Sequence, residues 1–245
     1  MDVTEDRLLG GRVRLRQAAG GYRAGMDAAL LAAACDAAPG DRVIEAGCGV
    51  GAVLLAAAVR RPRATFLGLE SDPAALAFTL ENITLNALES RVEAHLTDIA
   101  QPFSRLALTP FDAALANPPF FDDPSELRAP SPAKRAAWIA AEGLAVWCGF
   151  LIKAVREKGT ITLIHRADRL ADLMSFLAPK AGSFAVRPVH PFADAPAKRV
   201  LVRAIKTGKA PLRILPPLVL HERGGAKHTP EAEAILRGEA ALGWG

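Results

Sequence analysis

Three short stretches combine residue types suited to holding a nucleoside. The first, Glu45-Ala46-Gly47-Cys48-Gly49-Val50-Gly51, stands where an apolar run gives way to a helical one. Glycines there let backbone pass close to a ligand without a Cβ clash, and the acid before the turn can accept from a cationic or hydroxyl group. The second is Glu70-Ser71, whose carboxylate is placed for ribose hydroxyls, in bonds worth roughly 1.5–3 kcal/mol each. The third is Asp98-Ile99, where a carboxylate suits an adenine amino group but is also an ordinary turn cap. Gly47, Gly49 and Ala52 satisfy the dinucleotide pattern GxGxxA, and Glu70 has the spacing of its ribose acid. These stretches alone therefore fit two kinds of nucleoside cofactor.

Ala116-Asn117-Pro118-Pro119-Phe120-Phe121 is more specific. An adenine amino nitrogen is a weak nucleophile because its lone pair is delocalised into the ring, so methylating it requires holding the nitrogen in line with the methyl donor and localising that pair. The Asn117 side-chain oxygen and the Pro118 carbonyl can each accept one amino hydrogen. Pro118 and Pro119 stiffen the backbone that aims them, and Phe120 can stack on the base. The same clamp suits other amino groups, including cytosine and glutamine amides.

These stretches need a scaffold that brings them to one edge. Arg42–Ala46, Thr65–Glu70, Val92–Leu96, Phe111–Ala116 and Thr160–His165 read as strands, and Val50–Arg60 as a helix stopped before Pro62. Asp72 caps a helix with Pro73 at its first position, running to about Asn86, with Leu76, Leu80 and Ile83 on one face. Ala140, Leu144, Trp147 and Leu151 mark another buried stripe, and a last helix spans Asp168–Leu177. Phe184–Val189 and Arg199–Ile205 follow without an intervening helix, which implies an antiparallel pair at one sheet edge. The expected fold is α/β, a doubly wound, mostly parallel seven-stranded sheet with an antiparallel edge strand. Such sheets bind ligands beyond the carboxyl ends of their strands, where the three stretches and the asparagine-proline motif fall.

The expected organisation is an N-terminal extension acting as a lid (1–40), a core (41–206) and a basic tail packing on that core (207–245). With 245 residues, 51% of them apolar, the chain can bury one large core. It shows no apolar run of membrane-spanning length and opens on an acidic, polar stretch, so a cytoplasmic location is expected. The three cysteines have no metal or disulfide spacing, nor do the five histidines have metal spacing, so no metal is expected. The net charge of +4 is uneven: residues 179–228 hold ten basic and two acidic groups. With Arg12, Arg14 and Arg16, which alternate with Val13 and Leu15, and with Lys198 and Arg199, this excess is expected to meet RNA phosphates.

The pairing of the glycine turn with Asn117-Pro118-Pro119-Phe120 resembles the amino-group methyltransferases of the class I S-adenosylmethionine-dependent superfamily. The N-terminal residues Leu8-Leu9-Gly10-Gly11-Arg12-Val13, Gln17, Gly21-Tyr22-Arg23-Ala24-Gly25 and Asp27-Ala28-Ala29-Leu30-Leu31 are similar to the opening of one family within it. This is the bacterial tRNA (adenine-N6)-methyltransferase family acting on an anticodon-loop adenine of a valine tRNA. The likeness continues through His165-Arg166-Ala167-Asp168-Arg169-Leu170 and Lys198-Arg199-Val200-Leu201-Val202. It implies S-adenosylmethionine as cofactor, with Glu45, Gly47, Gly49, Glu70, Asp98 and Asn117 lining its pocket. Cys48, Gly51, Ser71 and Ile99 lie beside them, and Arg23 fits meeting the methionine carboxylate or a surface role equally. Tyr22 fits closing over the cofactor or simple packing equally. The family usually has tyrosine at position 120; phenylalanine here keeps the stacking face and loses the hydroxyl. Two alternatives stay open: a protein glutamine or small-molecule amide methyltransferase, and an inactive cofactor-binding RNA-binding partner. A nicotinamide dehydrogenase is disfavoured because the chain's one tyrosine precedes the glycine turn.

Overall fold

The computed structural model describes residues 2–20, 25–119 and 143–245. Its centre is a sheet of seven long strands: β3 (Arg42–Ala46), β4 (Thr65–Glu70), β5 (Val92–Leu96), β6 (Phe111–Ala116), β7 (Val155–Arg166), β8 (Ala181–His190) and β9 (Arg199–Lys206). The spatial order is β8-β9-β7-β6-β3-β4-β5. Pairings from β7 to β5 are parallel, whereas β9 runs antiparallel to both β7 and β8. The antiparallel β8–β9 pair stands toward one edge, as the sequence suggested, with β9, the strand that runs against the rest, inserted between β8 and β7. Two short strands, β10 (Arg213–Ile214) and β11 (Leu218–Val219), then pair in parallel with the outer side of β8.

Both faces of the sheet are covered, which is why central strands read as continuous apolar runs. Along β3, Val43 packs with one core cluster, while Ile44 and Ala46 pack with the other. The first cluster gathers α1 (Met26–Ala34) and α2 (Ala52–Arg60), the second α4 (Leu144–Ala154) and α5 (Leu170–Leu177). Leu144, Trp147 and Leu151 are buried on α4 as their spacing predicts; Ala140 lies outside the described residues.

The N-terminal segment is built into this core rather than laid over it as a lid. β1 (Val3–Leu8) and β2 (Val13–Ala18) form an antiparallel hairpin whose Val13 and Leu15 are fully buried, and seven residues of α1 are buried as well. The tail is equally embedded. The Trp244 indole donates to the Ala34 carbonyl at 2.9 Å, and α6 (Pro230–Arg237) packs on α1.

Helix α3 (Pro73–Leu85) begins as read, with the Asp72 carboxylate accepting from the Ala74 N–H at 2.9 Å. Its inward face differs: Leu80 is exposed, while Thr79, Asn82 and Ile83 are buried. The polar pair faces inward because it satisfies neighbouring backbone. The Asn82 side chain accepts from the Arg16 N–H at 2.7 Å and donates to the carbonyls of Arg16 at 2.9 Å and Val50 at 3.0 Å. Asn86 repeats the pattern on Arg14, at 2.8 and 2.7 Å. These amides satisfy the free edge of β2 as a neighbouring strand would. We expect Asn82→Ala to lower stability by about 1–3 kcal/mol, since it leaves buried backbone groups unpaired. Denaturant titration checks this, and an unchanged midpoint would contradict the role of Asn82.

Candidate active site

The crest of the sheet assembles from four adjacent strand ends, those of β6, β3, β4 and β5. The register pairs Ala46 with Ala116, so the chain positions Asn117 beside Gly47, and it pairs Glu70 with Leu96, two residues before Asp98. Four elements that are distant in sequence thereby converge.

The turn after β3 places Gly47, Gly49 and Gly51 at φ of 64°, 57° and 87°, the left-handed region open to glycine. It is held from two sides. The Glu70 carboxylate accepts the Gly49 N–H at 2.8 Å through one oxygen, and the N–H groups of Ser71 and Asp72 at 2.9 and 2.8 Å through the other. From α3, the Thr79 hydroxyl donates to the Gly49 carbonyl at 2.6 Å while Asn82 holds Val50. An ionised carboxylate offers about four acceptor positions. Three are taken, which leaves about one acceptor position open on Glu70.

Glu45 is only 2% exposed, and its Oε2 has no hydrogen-bond partner. Burial, and secondarily the Glu70 charge, raise its carboxyl well above the usual range, against a backbone hydrogen bond from Leu54. Such a group suits a ligand cation. Burial also pushes the Cys48 thiol well up, making it a packing residue rather than a nucleophile. Asp98 uses one carboxylate oxygen to accept from the Ala100 N–H at 2.8 Å, and Ile99 is buried. Asn117 brings the sharpest feature: its Oδ1 is buried with no hydrogen-bond partner, an acceptor awaiting a donor. Phe120, Arg23 and Tyr22 lie outside the described residues.

Four contributors escaped the sequence reading. Thr79 and Asn82 clamp the glycine turn, and their signal was two polar residues three apart, on one face of the helix. Trp147, read only as core, lays its indole where a Cβ on Gly47 would stand, and its Nε1 is buried without a partner. His165, 2% exposed at the end of β7, donates to the Pro119 carbonyl, and burial holds its imidazole neutral, down to about 4. Neither had a local signal, because both act across strands.

The charges expected to meet phosphate are mostly engaged within the protein. The Arg12 guanidinium leaves the face of Arg14 and Arg16 and donates to the carbonyls of Arg237 and Gly238 at 3.2 and 2.6 Å. Arg14 pairs with Glu5 at 3.0 Å, and Arg16 pairs with Glu5 and Glu81. Arg199 pairs with Asp27 at 3.1 Å and Arg203 with Asp36 at 2.7 Å. Arg187 and Arg213 bind carbonyls of residues 216 and 243–245. Lys198 remains exposed. Among the described residues no cluster of metal ligands occurs, nor a helix long and apolar enough to cross a membrane.

Gly47→Ala should strike the Trp147 ring and lower stability, and Trp147→Leu in the same chain should recover part of the loss. Additive effects in a double-mutant cycle would refute the contact. Glu45 gives a pH signature. Its folded value lies above the unfolded one, so the native state retains a proton that the unfolded chain loses. Stability should therefore fall as pH rises from the ordinary carboxylate range to the raised folded value, and Glu45→Gln should remove that fall.

The methyltransferase small domain family matches residues 22–129. The chain is 32% identical over 149 residues to a tRNA1(Val) (adenine(37)-N6)-methyltransferase of Actinobacillus succinogenes, covering 60% of this chain and 62% of that protein. It is 36% identical over 81 residues to an rRNA N6-adenosine-methyltransferase of Caenorhabditis elegans, covering 33% of this chain and 38% of that one. The chain thus spans about three fifths of the bacterial relative and less of the nematode one. The crystal structure of a predicted O-methyltransferase from Agrobacterium tumefaciens superposes with a TM-score of 0.74 at 26% identity, covering 88% of this chain and 98% of that one. By strand order and these likenesses, the chain has the fold of class I S-adenosylmethionine-dependent methyltransferases, and residues 22–129 are similar to the methyltransferase small domain.

Proposed function

We propose that this protein transfers the methyl group of S-adenosylmethionine to the N6 amino group of an adenine in RNA, with tRNA as the carrier. The observation that carries the reading is the buried, unpartnered Asn117 oxygen beside the glycine turn. When bound, S-adenosylmethionine supplies an activated methyl group. The residues present suit that molecule: Glu45 offers a buried carboxylate oxygen for its ammonium group, and Glu70 keeps an acceptor position for a ribose hydroxyl.

The chain's own residues then act on the acceptor base. Asn117 and the Pro118 carbonyl each take an amino hydrogen, which draws the nitrogen lone pair out of the ring and points it at the methyl donor. Ala116 is paired on both sides, with Ala46 and Leu163, so the strand end carrying the clamp is fixed before the base arrives. His165 adds a hydrogen bond to the Pro119 carbonyl from the next strand. Acceptors aimed in advance need little reorganisation as charge develops on the amino group, and this is where such sites gain rate. The names of the curated relatives, which specify adenine N6 in tRNA and rRNA, support the choice of base and carrier.

Incubation with labelled S-adenosylmethionine and total bacterial RNA, followed by digestion to nucleosides, should place the label in N6-methyladenosine. Label in protein or in another nucleoside would displace the reading. Asn117→Ala should keep cofactor affinity within a few fold while lowering turnover about a hundredfold or more. Near-normal turnover would refute the clamp.

A further inference from the structure

We infer that a second aromatic site, formed by the β8–β9 loop and the chain after β11, binds an unpaired nucleotide of the RNA whose adenine is methylated; this rests on the RNA reading above. A cavity of about 460 Å³ opens there, lined by Phe192, Val219, His221, Arg223 and Thr229 among others. Its walls are flat, delocalised groups in sequence. The Arg223 guanidinium lies 4.4 Å from the centre of the Phe192 ring, Phe192 is 5.7 Å from His221, and His221 stacks on His228 at 5.1 Å. Such surfaces hold nucleobases, because every base presents a π-face.

Topology puts this cavity on the catalytic side. β8 is antiparallel to β9, β9 is antiparallel to β7, and β7 is parallel to β6. The chain therefore leaves β8 at the same end of the sheet where it leaves β6 for Asn117. β11 is parallel to β8, and His221 is fixed beside the loop by its N–H bond to the Pro191 carbonyl at 3.0 Å. β8 stands three strands from β6, roughly 14 Å at ordinary strand spacing, and β11 one strand farther. That is within reach of a nucleotide a few positions from the target base.

Charge supports the same occupant. Most arginines of the basic late segment are tied to carboxylates or carbonyls elsewhere, but Lys198 and Lys227 are exposed in the two loops that form this cavity. Asp194 at the rim is matched by Arg223 at 3.1 Å, a pair exposed by 67% and 64% and hence easily rearranged. Glu222 is the other rim acid. An apolar, ring-walled cavity whose two loops carry exposed lysines fits a base with its phosphate at the rim.

The test uses the full chain and a synthetic RNA hairpin with unpaired adenines in its loop. Phe192→Leu keeps apolar bulk and removes the ring; it should weaken hairpin binding about five- to a hundredfold, with S-adenosylmethionine affinity unchanged. Phe192→Tyr restores the ring and should bind as wild type. His221→Ala gives a second reading from the other wall. With adenosine monophosphate as acceptor, too short to reach the cavity, Phe192→Leu and wild type should be methylated at equal rates. Hairpin binding by Phe192→Leu equal to wild type overturns this site and leaves the RNA reading standing. Failure of the wild-type protein to bind or methylate any RNA overturns both.

Discussion

The Glu70 carboxylate gathers three backbone N–H groups, one from the turn after β3 and two from the turn after β4. Charge-assisted bonds of this kind are the strong ones, and their geometry is specific. They hold two adjacent crest turns at a fixed spacing, and that spacing defines the crevice. The strands carry the turns there, but parallel pairing alone leaves the loops beyond the sheet free to wander. One side chain removes much of that freedom. Thr79 and Asn82 complete the restraint from the opposite side, so the glycines adopt left-handed backbone without depending on ligand to hold them.

From this restraint the placement of polar groups follows. A crevice held open keeps buried polar atoms waiting: Glu45 Oε2, Asn117 Oδ1 and Trp147 Nε1 all lack partners. Each costs folding free energy of the order of 1–3 kcal/mol. A fold tolerates several such atoms near one another where a ligand supplies the missing bonds. The raised proton affinity of Glu45 has the same origin, since a carboxyl denied both solvent and a cation retains its proton.

The arginines show a second economy. The segment at the end of the chain has little sheet or helix to absorb its carbonyls, and Arg12, Arg60, Arg187 and Arg213 satisfy them instead. A guanidinium has five donors and bonds carbonyl oxygens readily, so cations fasten the tail alongside its buried Leu218, Ile235, Leu242 and Trp244. The positive charge visible in the sequence is therefore mainly an internal fastening, leaving a smaller exposed set for a polyanionic partner.

The amino-acid sequence by itself determined the parts of this protein whose physics is local. The strand and helix periods, the Asp72-Pro73 helix start, the glycine turn and Asn117-Pro118-Pro119 were all legible, because backbone freedom and side-chain period act within a few residues. Tertiary structure alone decided matters of pairing. Whether Leu80 or Asn82 of α3 faces inward depended on an unpaired strand edge arriving from residues 13–18. Whether Arg14 meets phosphate or Glu5 depended on the hairpin register that sets Glu5 opposite Arg16. Trp147 reached Gly47, and His165 reached Pro119, only through strand order. A charge or a hydrogen-bonding group has no fixed role in sequence. Its partner is whichever group the fold brings within about 3 Å, and that distance is set by contacts far away along the chain.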